Sequence, residues 1–247
     1  MLRQLRSSEG NIYALIFFPY AGAKLDLLYK HRHFIDNQFD LWSYSTDIQN
    51  IIPSIEQLSQ SLASQLIANQ GKKFIIVGYS FGAWLAKAVT QKISDIDQQR
   101  IKHLFLCASS LFHSEKRNPL RVSHLPSHLM LKHLNDTFGS PEETGIIAEN
   151  QRCRMSIPLR YELAMMDYYR PRHHYVDVAT TLMQETENFQ IDLVNQWSKL
   201  FLLRESFLFD DGHFFCLHPQ SLFWSKLNEL ALQFVKENIS PPTTSVY

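Results

Sequence analysis

The chain carries no surplus of charge of either sign. Lys and Arg together number 24, as do Asp and Glu, so the formal net charge is zero. That removes the broad electrostatic attraction on which nucleic-acid binding rests, and no nucleic-acid partner is expected. Cysteine is scarce: Cys107, Cys153 and Cys216 are odd in number and have no paired spacing. They suggest neither a disulfide framework nor a zinc site, and they fit a reducing, cytoplasmic compartment. Each reads as a small buried apolar residue rather than a reactive thiol. No apolar run is long enough to cross a bilayer, so no membrane partner is expected. Arg3 and Arg6 precede the run Ile12–Phe18, and Ala21-Gly22-Ala23 follows it, which is a weak signal-peptide pattern. Glu9 and Asn11 interrupt it, and a buried first strand accounts better for the same residues. Neither a P-loop nor a dinucleotide fingerprint occurs. His31/His33 and His173/His174 lack the carboxylates of a metal site and read as surface histidines, so neither a metal nor a cofactor is expected. Internal repeats and low-complexity stretches are also missing.

What is present suits a large core: 247 residues, 45% of them apolar, with 17 Phe. Strand-like runs fall at Ile12–Phe18, Phe39–Tyr44, Phe74–Val77, His103–Cys107, Val178–Met183 and Ser206–Phe209. Helix-like stretches separate several of them, notably Ser54–Ala68, Ala83–Ile93 and Leu222–Val235. This alternation, with continuously apolar strands, predicts an α/β domain spanning 1–247, its mainly parallel sheet covered by helices. Residues 112–172 break the alternation. Pro119, Pro126, Pro141, Pro158 and Pro171 punctuate them, and the best helix candidates are Leu125–Phe138 and Leu159–Tyr169. A helical lid made of several short helices is expected there; ordinary outer helices of the sheet are the plainer alternative. Arg152, Arg154, Arg160, Arg170 and Arg172 read as a solvated face, or more sharply as a docking site for an acidic partner or phosphate. The tail 240–247 is expected to be disordered.

Four of the eight glycines, Gly22, Gly78, Gly82 and Gly212, lie in three loops. The most telling of these loops is Gly78-Tyr79-Ser80-Phe81-Gly82. The strand Phe74–Val77 runs straight into it, and a helix-compatible segment follows. That is the strand, sharp turn and helix of a nucleophile elbow, with Ser80 as nucleophile. A serine hydroxyl needs a base, and in a hydrolase of this kind the order along the chain is Ser, acid, His. His213 stands late, after a strand-like run and beside Gly212, and is the candidate base. The acid is sought just beyond Val178–Met183: Glu187 is the first choice, with Glu185 and Asp192 as alternatives. The oxyanion donors are assigned to the N–H groups of Ala21, in the loop that Pro19 opens, and of Phe81, at the start of the helix.

Together these stretches resemble the type II (external) thioesterases that accompany nonribosomal peptide and polyketide synthases, members of the α/β-hydrolase superfamily. Phe18-Pro19-Tyr20-Ala21-Gly22 is similar to the family's oxyanion loop, and Gly78–Ala83 to its nucleophile motif. Leu125-Pro126, Phe138-Gly139-Ser140-Pro141 and Pro158-Leu159-Arg160-Tyr161-Glu162-Leu163 resemble its lid. Asp211-Gly212-His213-Phe214-Phe215 resembles its Gly-His-Phe-Phe motif. Two stretches depart from the pattern. The family's Pro-Gly-Arg segment is replaced by Leu41-Trp42-Ser43-Tyr44-Ser45-Thr46. Gln184-Glu185-Thr186-Glu187, with Trp197 further on, stands where the family has Gly-x-x-Asp and a Trp. The resemblance implies a monomeric serine thioesterase that clears acyl groups from phosphopantetheine carrier proteins, with the lid forming the carrier-docking face and a short acyl pocket. Alternatives are a product-releasing or cyclising thioesterase, a small-ester hydrolase, and a non-catalytic binding protein of the same fold.

Overall fold

A computed structural model describes residues 1–23, 26–45, 54–109, 122–139, 149–170, 175–186, 194–195, 197–218 and 220–237. Seven strands form one sheet in the order β1-β3-β2-β4-β5-β6-β7. They are β1 (Leu2–Arg6), β2 (Tyr13–Phe18), β3 (Phe39–Tyr44), β4 (Lys73–Tyr79), β5 (Ile101–Cys107), β6 (Val176–Glu185) and β7 (Phe201–Phe209). Only β1 runs antiparallel, against β3; every other neighbouring pair is parallel. The helices are α1 (Asp26–His31), α2 (Ile55–Ile67), α3 (Phe81–Asp97), α4 (Ser127–Phe138), α5 (Glu149–Tyr168) and α6 (Phe223–Glu237). The sheet is mainly parallel, as the alternation of elements predicts, and has the architecture of the α/β-hydrolase fold that the resemblance implies.

The strand sequences show why the sheet is buried on both faces. In β2, Ala14, Ile16 and Phe18 enter one apolar layer, while Tyr13, Leu15 and Phe17 enter the other. In β4, Phe74 and Ile76 face the first layer and Ile75, Val77 and Tyr79 the second. This is the period-two alternation of a strand, but apolar on both sides. The first layer is closed by α2, α3 and the C-terminal half of α5, the second by α1 and α6. α2 begins with a capping box between Ser54 and Gln57, which satisfies two backbone donors at its start. Its end is held by Arg100, whose guanidinium donates to the carbonyls of Leu66, Ile67 and Asn69.

Several elements depart from the expected bounds. β1 has no counterpart among the expected strands, because Leu-Arg-Gln-Leu-Arg is half polar; it is an edge strand, and an edge tolerates polar faces. β7 begins at Phe201, five residues before the expected Ser206, because the charged pair Arg204-Glu205 interrupts its apolar run. α5 is a single 20-residue helix that runs through Pro158, in place of the short helices broken at proline that the sequence suggests. Pro158 forfeits one backbone hydrogen bond. The half that follows is nevertheless seated in the core through Met165 and, just past the helix end, Tyr169. The Tyr169 ring is tilted against Trp84 of α3, with centroids 5.9 Å apart.

Of residues 112–172, where a lid is expected, the described helices are α4 and α5. Residues 112–121, 140–148 and 171–172, and the tail 240–247, lie outside the described residues. Arg160 is not a solvated charge. It donates to the carbonyls of Ser123 and Leu125 and to Ser127 Oγ, tying α5 to the start of α4. Ser123 Oγ donates to Asp167 at 2.6 Å, a second tie between the same segments. No described helix is long and apolar enough to cross a membrane.

Candidate active site

β4 ends at Tyr79 and α3 begins at Phe81, so Ser80 alone makes the turn. Its φ of 53° is left-handed, a region that side chains other than glycine rarely occupy. Two hydrogen bonds hold it there. Ser80 N–H donates to Cys107 O at 2.8 Å, and Ala83 N–H donates to Ser80 O at 2.9 Å. Strand and helix can meet this closely only because the flanking residues have no side chains. A Cβ at Gly78 would lie 2.6 Å from both Ala83 Cα and Ala86 Cβ, and one at Gly82 would fall inside contact with Phe18 O and 2.6 Å from Pro19 O.

The second condition brings another loop into the site. Phe18 pairs with Gly78 across the sheet, so the chain leaving β2 passes directly beside the elbow. It turns at Tyr20–Ala23, closed by Ala23 N–H to Tyr20 O at 3.1 Å, with Gly22 at φ 78°. The loop that carries Ala21 thus leaves β2 beside the N-terminus of α3, whose first N–H groups have no acceptor within the helix. Both assigned oxyanion donors, Ala21 and Phe81, belong to these adjoining segments.

Parallel pairing of β6 with β7 places Glu185 opposite Phe209 at the ends of the two strands. The loop after β7 turns back at Gly212, φ 67°, and presents His213. His213 Nε2 lies 3.2 Å from Ser80 Oγ, and Nδ1 lies 3.3 Å from Glu185 Oε1. With Nδ1–H donating to the carboxylate, Nε2 is left as acceptor for the serine hydroxyl. The side chains of His213 and Glu185 are only 9% and 7% exposed, so their contact is little weakened by water.

The carboxylate beside His213 is thus Glu185, one of the alternatives weighed from the sequence. Glu187, the first choice, and Asp192 lie outside the described residues. The reason is the length of β6. The sequence suggests a strand ending at Met183, but β6 extends to Glu185, so its last residue already reaches the histidine loop. Thr186 Oγ1 donates to Asp210 Oδ1 at 2.6 Å and closes the gap between strand end and loop. On the other side, Ser109 N–H donates to Gln184 Oε1 at 3.1 Å and steadies the strand end from the loop after β5.

Tyr79 is a functional residue that sequence reasoning passes over. Its hydroxyl donates to the backbone carbonyl of His213 at 2.6 Å and accepts from Cys216 N–H at 3.4 Å. The residue before Ser80 thus anchors the loop that carries His213. Among the cysteines, burial pushes Cys216 up to about 12 and Cys107 well above the ordinary thiol range. Neither offers a thiolate, so neither competes with Ser80 as nucleophile. Trp197 is buried against Phe201, with ring centroids 5.5 Å apart, and serves packing. His31 is no plain surface residue: it stacks on Trp224 at 4.8 Å. His173 and His174 lie outside the described residues.

Residues of α4 and α5 also reach this constellation. Phe138, the last residue of α4, stands 4.5 Å from the His213 ring. Phe214 and Tyr20 meet edge-on at 5.2 Å. Leu159 of α5 packs where a side chain on Gly22 would be. A buried, oriented histidine, a serine held in a strained turn and two converging segments with backbone donors can carry out nucleophilic acyl transfer.

A family model described as a thioesterase domain matches residues 14–220. No curated protein sequence matches the chain. Among solved structures, it is similar to ClbQ from the colibactin NRPS/PKS pathway, with TM-score 0.78 and 15% identity over 91% of this chain and 99% of that one. It is similar to RedJ, the thioesterase of the prodiginine biosynthetic pathway in Streptomyces coelicolor, with TM-score 0.74 and 19% identity over 91% and 86%. The type II thioesterase BorB from the borrelidin biosynthetic cluster matches with TM-score 0.74 and 18% identity over 97% of each chain. At such identities these likenesses establish a shared fold.

Proposed function

The chain belongs to the thioesterase-domain family, and on that premise we propose that it is a serine thioesterase acting on acyl groups carried by the phosphopantetheine of carrier proteins. The observation that carries this reading is the unbroken contact from Glu185 through His213 to Ser80. His213 Nε2 takes the serine proton as Ser80 Oγ attacks the thioester carbonyl, and the C–O bond forms as the carbonyl electron pair moves onto oxygen. The N–H groups of Ala21 and Phe81 receive that oxyanion. Its collapse breaks the C–S bond, and the imidazolium gives its proton to the departing thiolate. Water then attacks the acyl-serine with His213 again as base, releasing the acid and restoring Ser80. Glu185 stabilises the imidazolium throughout and holds the correct tautomer.

The substrate class follows from family and surroundings. The rings of Phe138 and Phe214 flank His213 and offer apolar walls to an acyl chain. Similar structures come from NRPS/PKS settings, and BorB and YbtT are themselves described as type II thioesterases. We assign this chain the same kind of role: removal of stalled or incorrect acyl groups from synthase carrier domains, acting as a monomer. The test compares one acyl group on a carrier protein with the same group on coenzyme A. The carrier form is expected to react with kcat/KM at least about tenfold higher, the equivalent of ~1.4 kcal/mol of carrier contact. Equal rates, or a preference for oxygen esters, would instead favour a small-ester hydrolase. Formation of a lactone or lactam would indicate product release.

A further inference from the structure

Glu162 stands out on α5. The inner side of that segment carries Leu159, Glu162, Met165 and, just past the helix end, Tyr169, spaced so that they share one face. Leu159 packs on Gly22, and Met165 and Tyr169 enter the core layer over α3. In the midst of this apolar stripe sits a carboxylate that is only 5% exposed. Burying it is costly unless it is well bonded, and packing alone would be served better by a leucine. Its oxygen Oε2 accepts a hydrogen bond of 2.6 Å from the N–H of Gly22.

The donor to this carboxylate is the peptide that follows Ala21. The preceding peptide, which carries the Ala21 N–H, is held through its own carbonyl, Tyr20 O, by the Ala23 N–H. With both peptides that meet at Ala21 held, the Ala21 N–H has little freedom left. We infer that Glu162 is a positioning residue of the oxyanion loop, holding the Ala21–Gly22 peptide from the lid helix so that the Ala21 N–H is aimed before the oxyanion forms. The inference rests on the thioesterase reading for the identity of the reaction, but not for the geometry. A donor oriented in advance needs no reorganisation at the moment of reaction, and that is where such groups gain their effect. Glu162 never touches the reacting atoms. It acts through one backbone bond, and that bond also ties the seating of α5 to the readiness of the site. Gly22 is suited to both demands. Its φ is 78°, which strains any side chain there, and a methyl on it would stand only 3.0 Å from Leu159 Cβ, so that Leu159 would have to give way.

The experiment compares Glu162→Leu, which fills the space but cannot accept, with Glu162→Gln, whose amide oxygen can. Two rates are read: kcat on an acyl-carrier substrate, and the rate at which a fluorophosphonate labels Ser80. The second also places a developing charge in the oxyanion hole but requires no thioester. Glu162→Leu is expected to lose about 10- to 100-fold in both rates with KM little changed, because an aligned oxyanion donor is worth at least that much. Glu162→Gln is expected to recover most of both. The melting temperature of Glu162→Leu is read alongside, so that a loss of rate through unfolding is told apart from a loss of alignment. Wild-type rates in Glu162→Leu would overturn the inference. So would equal losses in the two variants, because charge rather than the hydrogen bond would then matter. A wild type that labels at Ser80 yet leaves thioesters intact would sink the thioesterase reading, while the labelling rates would still decide the role of Glu162.

Discussion

Glu185→Gln is expected to lower kcat by about 10⁴-fold while leaving KM and the melting temperature close to those of the wild type. The carboxylate accepts from His213 Nδ1–H at 3.3 Å and so leaves Nε2 free to receive the serine proton. An amide at the same place can turn its NH₂ toward Nδ1, which favours the tautomer with the proton on Nε2, and that nitrogen then cannot act as base. The imidazolium formed during attack also loses its counter-charge in a nearly dry site. Because Gln is isosteric and still polar, the fold should survive and the loss should appear in kcat. Steady-state kinetics on acyl-carrier protein check it, with Glu187→Gln as the paired measurement, expected to stay within about twofold of wild type. The reverse ranking of the two variants would return the acid's role to Glu187.

The second large effect is structural. Gly82→Ala should destabilise the protein by about 3 kcal/mol or more, a fall of roughly 6–12 °C in melting temperature for a chain of this length. The added methyl would press on the carbonyl oxygens of Phe18 and Pro19, which are backbone atoms at the end of a central strand and cannot swing aside. The helix α3 must therefore move away from the β2 loop. That motion also draws the Phe81 N–H away from the Ala21 N–H, so the fraction that still folds should be poorly active. Gly71→Ala separates this clash from a general intolerance of substitution at glycine. Gly71 has nothing within 4 Å of its would-be Cβ and carries only the cost of a φ of 78°, about 1 kcal/mol. Calorimetry on the two variants distinguishes them, and similar shifts in both would show that the close approach at Gly82 is not under pressure.

Much of this is legible in the sequence, and the boundary has physical causes. The elbow and the Gly212-His213 turn are local devices: glycine, a small set of neighbours and a strand-like run suffice to mark them. Ser80 and His213 accordingly come within hydrogen-bond distance, as the chain order suggests. The carboxylate partner depends on where β6 stops, and that is decided by its pairing with β7 up to Glu185 and Phe209. No residue near position 185 announces this, because a Glu at a strand end and a Glu in the following loop look alike. Glu162 meets Gly22 across 140 positions, and only the packing of α5 on α3 brings them together. The same packing explains why Pro158 fails to break its helix. Where the sequence pattern is ambiguous, at the half-polar edge strands β1 and β7, position in the sheet rather than local preference decides the outcome.

The central claim is that Ser80 accepts the acyl group from a carrier-bound thioester. Mixing the protein with acyl-loaded carrier protein, quenching in acid within the first turnovers and measuring the intact mass tests it directly. Glu185→Gln, in which turnover is slow, is measured alongside. The account predicts a covalent increment equal to the acyl group, localised by peptide mapping to Ser80 and absent from Ser80→Ala, which should release no acid above background. Hydrolysis that proceeds in Ser80→Ala at the wild-type rate, or an acyl group found on any other residue, would contradict it.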